Sequence, residues 1–498
     1  MHVARIKSSH VDKQGRRRDY ESVYLRRTYR QEGKVKHETL ANLSGLDTHV
    51  VDAVDAALKG TRLVPADTVR VVRSRTHGDV AAVWAQAKAL GLPALLGPAG
   101  RERDLALAMI VSRVVRPASK LSTLGWWSDT TLGEDLQVVG AGTDEVYAAM
   151  DWLTGRQDRI EAGLVRRHLT GGDTPPMALF DLSSSWVEGR CCPLAARGYS
   201  RDRRKGSLQI EYGLLTDPAG RPVAVRVFDG NTADPAAFIE AVDTVRTRFG
   251  LEQVTMVGDR GMITNARITA LRDLGGIGWL TALRAPQIAA LAGDGGPLQL
   301  SLFDTQDLAE ITHPDYPGER LIACRNPALA DERARKRGEL LTATETLLAK
   351  ITARVERGTL AGADKIGVAV GKVVDTYKMG KHFDVTITDT TLTVTRRTEQ
   401  IAAEAALDGI YVLRTSVPAD HLDTPGVVTA YKNLSHVERD FRILKSDDLD
   451  LRPIYHRLED RVRGHVLICM LAAYLTWHLR QAWAPLTFPD TTPPARDN

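Results

Sequence analysis

Two short apolar runs, each ending on an aspartate, constrain the fold of this chain more than any other feature. Met177-Ala178-Leu179-Phe180 ends at Asp181, and Gln253–Val257 ends at Gly258-Asp259. Runs this short and this apolar read as buried strands. A carboxylate carried to such a strand is costly unless it is paired or binds a metal. Alone, a strand-end aspartate is more often a helix cap or a loop hydrogen-bonder, and Asp259 could simply organise the turn Asp259-Arg260-Gly261. The order of the intervening elements adds the information that one aspartate lacks. Leu208–Thr216 reads as a second strand, and the turn Asp217-Pro218-Ala219-Gly220 leads to a third over Pro222–Phe228. Residues 235–248 are helical before the fourth strand. A helix over Ala266–Leu274 and the strand Ile277–Leu283 follow.

Strand–Asp, hairpin, helix, strand–Asp and a later helix bearing an acid is the layout of a ribonuclease-H-like nuclease core. There the first and fourth strands lie side by side, so both carboxylates can meet one metal pair. Gly409–Thr415 returns to the buried-strand pattern, and residues 426–445 are helical. At about 100° per residue, Tyr431, Leu434, Glu438, Arg442 and Lys445 of that helix fall within an arc of roughly 80°. An isolated amphipathic helix carries such charges as an ordinary solvated face. Beside two strand-borne aspartates the same face suits Glu438 as a metal ligand, with Arg442 and Lys445 on a DNA phosphate backbone.

The chain is long enough, at 498 residues, for two to four domains, and its 43% hydrophobic and 26% charged content is that of a soluble globular protein. The net charge of +4 hides an asymmetry. Residues 1–37 carry eleven Lys/Arg against four acids, +7 in all, which leaves −3 for the other 461 residues. A concentrated basic segment suits a polyanion such as DNA, although a solvated arm has the same composition. Four cysteines, two of them adjacent at Cys191-Cys192, make neither a disulfide framework nor a zinc site. The N-terminus lacks the apolar core of a secretory signal. The longest apolar run, Val466–Leu475, is shorter than the about 20 residues a bilayer span needs, and reads as a buried helix.

These patterns divide the chain into a basic N-terminal β-hairpin region (1–62, strands Ser22–Tyr29 and Val35–Leu40) and a helical block (63–170) that could bind DNA, dimerise or support the core, DNA binding being the expectation. The first part of a catalytic core follows (171–284), then an inserted β-rich subdomain with one long charged helix (285–406). The second part of the core (407–482) and a disordered Pro-rich tail (483–498) complete it. The expected fold class is α/β: a mixed sheet flanked by helices, interrupted by the insertion, with the hairpin and the helical block ahead of it.

Residues Tyr431-Lys432-Asn433-Leu434-Ser435-His436-Val437-Glu438 through Lys445 resemble the Y-x2-R-x3-E-x6-K signature of the bacterial insertion-sequence DDE transposases, the cut-and-paste group named for its Y-R-E-K residues. Tyr, Glu and Lys match at the family spacing, and Leu434 stands where the family has Arg. The strings LFDLSSSW, GYSRDRRKGSLQIEYGLL, FDGNTAD, MVGDRGMIT, LDGIYVLRT and VERDFRILKSDDLDLRPIYH are similar to landmarks of the same group. The resemblance covers roughly residues 80–480. It implies Asp181, Asp259 and Glu438 as a catalytic triad holding two Mg²⁺ ions, with Mn²⁺ able to substitute. It implies Tyr431 and Lys445 on the transposon end, Arg260 helping to hold that end, and 285–406 as the insertion between the second Asp and the Glu. Asn231 reads as a turn residue. The basic loop Arg201-Asp202-Arg203-Arg204-Lys205 reads equally as a DNA contact and as a solvated loop.

The implied activity is metal-dependent cleavage at transposon ends and strand transfer into target DNA. The expected partners are double-stranded DNA, as terminal inverted repeats and as target, and a second copy of the chain in the DNA complex. A cytoplasmic, nucleoid-associated location without membrane follows. Two alternatives stand beside it: a metal-dependent nuclease or resolvase of the same fold, and a non-catalytic DNA-binding repressor derived from a transposase.

Overall fold

The computed structural model describes residues 1–63, 70–170, 176–293, 295–304 and 306–486. Two units emerge, Met1–Arg75 and Thr76–Asn498.

The first unit is a three-stranded antiparallel sheet, β1 (His2–Val11), β2 (Arg17–Gln31) and β3 (Lys34–Asn42), followed by helix α1 (Thr48–Leu58). The β2–β3 hairpin closes on Glu32-Gly33, both with positive φ (53° and 73°), as a two-residue turn matched to strand twist requires. Val23, Leu43 and Val51 form its small core, and most of its Lys and Arg side chains are exposed. The expected hairpin thus gains a third strand. β1 alternates only weakly, its outward positions carrying Arg, Lys and Ser, and it is defined by pairing with β2 rather than by its own apolarity.

The second unit opens with helices α2 (Gly78–Ala89), α3 (Leu92–Leu96), α4 (Arg101–Val115), α5 (Lys120–Trp127), α6 (Leu132–Asp135), α7 (Thr143–Thr154) and α8 (Gln157–His168). Strands β4 (Met177–Trp186), β5 (Gln209–Thr216) and β6 (Pro222–Asp229) come next, then α9 (Asp234–Asp243), β7 (Val254–Val257), α10 (Asn265–Leu274) and β8 (Ile277–Ala282). They are followed by α11 (Ala285–Leu291), β9 (Leu308–Ile311), β10 (Arg320–Arg325), α12 (Pro327–Glu356), α13 (Ala363–Tyr377), β11 (Phe383–Ile387), β12 (Leu392–Arg396) and α14 (Thr398–Ala405). Last come β13 (Ile410–Thr415), α15 (Thr424–Lys432), α16 (Leu434–Arg442) and α17 (Glu459–Trp483).

Eight strands form one mixed sheet in the order β6-β5-β4-β7-β8-β13-β10-β9. β4, β7 and β8 run parallel, while β5 and β6 are antiparallel neighbours on the other side of β4. Its first five strands therefore reproduce the order expected for a ribonuclease-H-like core. One apolar core joins this sheet to the helical block and to α17. By length and composition α17 could cross a bilayer, yet Val466–Leu475 are buried against the rest of the protein, so its apolarity is spent on the core.

The 285–406 segment divides in two. β9 and β10 pair onto β13 and widen the central sheet. From α12 onward a separate core forms, in which Leu341, Leu348, Ile351 and Val355 of the 30-residue α12 meet Ile366 and Val370 of α13 and the β11–β12 hairpin. Helix outweighs strand here, so the expectation of a β-rich insertion is corrected: the expected long charged helix is present as α12, and α13 and α14 add helix where none was expected. At the C-terminus, Trp483 ends α17 and Ala484–Leu486 form a 3₁₀ turn, so the expected disorder from 483 does not hold there. The rest of that tail, 487–498, lies outside the described residues.

A buried ion pair ties the helical block to the sheet. Glu161 of α8, fully buried, pairs with Arg226 of β6 and accepts from the Val225 N–H at 3.0 Å and from Gln157 at 2.8 Å. Arg226 keeps only the exposed Asp158, at 3.2 Å, as a second carboxylate. Removing one partner of a buried pair strands the other charge. Glu161→Ala is therefore expected to cost about 3 kcal/mol, read as a fall in urea midpoint with unchanged m-value; a loss under a few tenths would show that the pair does not hold these layers.

Candidate active site

The parallel register of β4 and β7 is Met177↔Thr255, Ala178↔Met256 and Leu179↔Val257, after which β7 ends. Continued by two residues, that register sets Asp259 level with Asp181. Asp181 does not end its strand, as its sequence suggested. β4 runs on to Trp186, paired with β5 through Asp181↔Leu214 and beyond, while the β7 side falls away. The carboxylate thus sits mid-strand where one neighbour has stopped. Phe180 beside it packs into the space over Gly213 of β5, where an added Cβ would come within 2.5 Å of the ring.

Asp259 begins a tight turn. Its side chain accepts a short hydrogen bond from the Gly261 N–H, and its carbonyl accepts from the N–H groups of Met262 and Ile263 at 3.1 and 3.0 Å. It therefore organises the loop and also presents its second oxygen; Asp259 and Arg260 are both exposed.

Glu438 arrives on α16, which lies across β4. Val437 and Phe441 are buried and fix the orientation of that helix, Phe441 stacking edge-on with Tyr212 of β5 at 5.7 Å between centroids. Glu438, one residue past Val437, is exposed at the margin. The helix expected over 426–445 is interrupted. α15 ends at Lys432, Asn433 links it to α16, and the chain winds as a π-helix over Ile443–Asp447. The wider π turn changes the phase, so Lys445 leaves the face shared by Glu438 and Arg442.

The charges show which groups converge. Burial raises the Asp181 carboxyl to about 7, and the negative charges of Asp259 and Glu438 add to it, against a backbone hydrogen bond at Leu182 and the nearby Arg201. Burial pushes the Tyr431 hydroxyl up to about 12, with Asp259, Glu438 and Asp181 reinforcing the shift and Arg260 opposing it. Tyr431 is thus a protonated donor in the field of all three carboxylates. Asp181, Asp259, Glu438, Tyr431 and Arg260 share one neighbourhood.

Arg442 is exposed on α16. Lys445 is buried instead, its ammonium 2.8 Å from Asp202, and Arg452 binds the same carboxylate oxygen. Sequence reasoning left the 201–205 loop open between DNA contact and solvent. Its Arg201 pairs with the buried Glu211 at 3.3 Å and with Asp234 at 2.5 Å, and its backbone N–H donates to Ser184 Oγ at 3.0 Å, three residues along β4 from Asp181. Burial raises Glu211 to about 7 although Arg201 opposes it. The one available signal was an acid amid four cations in Arg201–Lys205. A cavity of about 890 Å³ lies at the opposite ends of β4 and β7, by Met177 and Thr255, away from these carboxylates.

The donors are all carboxylate oxygens, the type a hard divalent cation takes. Burial first, and then the charges of Asp259 and Glu438, raise Asp181, and a cation would offset both. In donor type and charge the three residues fit such an ion. They do not form a closed cage: among the described residues no three His, Cys, Asp or Glu side chains stand close enough to hold a metal.

Because the folded-state Asp181 takes up its proton at higher pH than an unfolded aspartate, its charge costs stability as pH rises from about 4 through 7. Asp181→Asn is expected to raise stability at pH 8 without divalent metal by roughly 2–4 kcal/mol, the difference from the parent shrinking as pH falls towards 4. Melting curves across pH check this, and equal curves at pH 8 would refute the burial of that charge.

Comparison with known families covers most of the chain. A family model described as a transposase DDE domain matches residues 189–475. An IS1634 family transposase N-terminal domain model matches residues 11–65, within the small basic unit. The larger match contains Asp259, Tyr431, Glu438 and Lys445 and begins eight residues past Asp181. No curated protein matches this chain.

Proposed function

Because this chain belongs to the transposase DDE-domain family, we propose that it cleaves DNA at transposon ends and joins those ends to target DNA through Asp181, Asp259 and Glu438. The family acts on DNA and generally uses divalent metal ions. The observation that carries the residue assignment is the shared field of the three carboxylates and Tyr431 where β7 stops beside β4. Asp181, Asp259 through its free oxygen, and Glu438 would hold two Mg²⁺ ions, or Mn²⁺ in their stead. Bound, such ions supply Lewis acidity to the attacking and leaving oxygens and neutralise phosphate charge.

The chain's own groups do the rest. Tyr431, kept protonated by its surroundings, donates to a phosphate oxygen of the transposon end. Arg260 and Arg442, both exposed, hold the flanking backbone. Lys445 acts as a positioning residue through Asp202 and Arg452 rather than as an open phosphate contact. Water attacks the phosphorus at the end, the P–O3′ bond breaks, and a 3′-hydroxyl is released. That hydroxyl attacks a target phosphodiester in line, forming one P–O bond as another breaks and leaving a target 3′-hydroxyl. Pairing two inverted repeats calls for two copies of the chain on the DNA, in the bacterial cytoplasm at the nucleoid.

A strand-transfer assay with the DNA ends that flank the gene tests the assignment. Asp181→Ala and Glu438→Gln are expected to lower cleavage and joining at least 10³-fold, with end affinity within a few fold of the parent. Full strand transfer by either variant would sink it. Cleavage without joining by the unmodified protein would make it a nuclease instead.

The basic first unit accounts for part of the DNA affinity in this reading. Deleting residues 1–62 removes many exposed cations, so end affinity should fall and the slope of log K against log salt should flatten by several units. An unchanged slope and specificity would assign end reading to the helices of 78–168.

A further inference from the structure

Outside the carboxylate site, two buried cations share a wall, and among the described residues no carboxylate pairs with either. Arg113 of α4 and Lys120 of α5 are 6% and 8% exposed. Among the described residues the Arg113 guanidinium donates only to backbone carbonyls, Ala118 O at 3.0 Å and Leu449 O at 3.4 Å. The Lys120 ammonium donates to His465 Nδ1 at 3.0 Å, because the other ring nitrogen of His465 is committed to Leu451 O at 3.1 Å. Both cations face a cavity of about 460 Å³ that His456 and Arg452 also line. Its one carboxylate, Asp450, is exposed, and among the described residues it makes no ion pair with Arg113 or Lys120. Burying like charges side by side is unfavourable unless an anion completes the group.

We propose that this cavity is a phosphate-binding pocket, in which Arg113 and Lys120 take the oxyanion. A phosphate offers acceptors to both cations, and the volume suits a phosphate together with its sugar. The exposed Tyr455 at the rim provides a face for a base.

The position favours a DNA phosphate over a free one. Arg452 reaches from the pocket wall to Asp202, the carboxylate that also holds Lys445, and lies with Arg204 over the Trp186 ring. Trp186 is five residues beyond Asp181 on β4, roughly 17 Å along the strand. Through Arg452 the pocket wall adjoins the strand that bears Asp181, so a phosphate held here belongs to the duplex that carries the cleaved bond. Only this identification of the phosphate's carrier rests on the transposase reading.

The pocket carries its own pH dependence. Burial first, and Arg113 next, lower the Lys120 ammonium to about 7, with Cys469 of α17 opposing weakly. His456 and His465 are pushed down by burial and by the same cations, to about 3 for His456, so both are neutral. The remaining groups around it are Asp450, Arg452, and Arg461 stacked on Tyr147 of α7. A phosphate would restore the charge of Lys120, so binding is strong below neutrality and weakens as pH rises above about 7.

The test uses the full chain in phosphate-free buffer, with inorganic phosphate as probe against chloride of equal ionic strength. Phosphate should raise the melting temperature of the parent by several degrees, more at pH 6 than at pH 8, and that of Lys120→Arg by several degrees without the Lys120-dependent loss at pH 8, since a guanidinium keeps its charge. Lys120→Met should lose that response, and its phosphate-free melting temperature should equal or exceed the parent's, since it removes an uncompensated charge. No response in the parent, or a full response in Lys120→Met, overturns the pocket. In the DNA arm, Lys120→Met should bind the gene-flanking end roughly tenfold more weakly, with phosphate competing in the parent. Lost phosphate response with unchanged DNA affinity keeps the pocket and assigns it to free phosphate. Asp181→Ala should retain the phosphate response, so failure of the catalytic assignment and failure of the pocket are read separately.

Discussion

The arrangement hangs on the register between two parallel strands. Pairing Leu179 with Val257 and then ending β7 leaves Asp181 without a neighbour on that side and starts the Asp259 turn at the same level. Had the strands slipped by one residue, Asp181 and Asp259 would no longer stand level, and their side chains would fall on opposite faces. The apolar runs leading into each aspartate enforce the register, since Ala178, Leu179, Met256 and Val257 are all buried. Burial raises the proton affinity of Asp181, and the like charges brought level with it add to that rise. The fold therefore holds a destabilising constellation in place with a large core, the usual signature of a site kept for chemistry rather than for stability.

A second layer explains why that constellation has a fixed shape. Asp202 is almost fully buried and takes cations from two directions, Lys445 from the π-helical turn and Arg452 from the loop before α17. Arg201, one residue earlier, pairs with Glu211 of β5 and Asp234 of α9 and influences Asp181 from the side. A short basic loop thus clamps the Glu438-bearing helix to the strands that bear the aspartates. Buried ion pairs of this kind contribute little net stability compared with apolar packing, but breaking one leaves a charge stranded. Their effect here is to hold the acid-bearing helix in one orientation.

What could be read from the residues alone follows from where the information lies. The strand order and both aspartates were legible because short apolar runs between turn residues are local signals. Glu438 was legible through its spacing from Tyr431 and Lys445. The role of Lys445 was not: its environment depends on a π turn and on Asp202, which lies 243 residues away. Helical phase computed at a constant 100° per residue cannot anticipate the link at Asn433 or the change of winding at Ile443. β1 escaped notice because its faces barely differ in polarity; the long charged helix was legible as α12, but its packing partner α13 was not. Each miss concerns a residue whose partner comes from far along the chain or whose pattern is weak by itself.

The same logic separates the two charged sites of the second unit. At the carboxylates, like negative charges gather beside exposed cations; at Arg113 and Lys120, like positive charges gather where, among the described residues, no carboxylate pairs with them. Neither group is explained by folding, because an apolar residue of equal volume at Asp181 or at Lys120 would pack at lower cost. Uncompensated charge of both signs, linked through Arg452, Asp202 and Lys445, has the form of a surface that meets a polyanion with its metals at one point and its phosphates at another. Binding would then be strongest when both complements are supplied together, which a duplex spanning the two positions does and free ions do not.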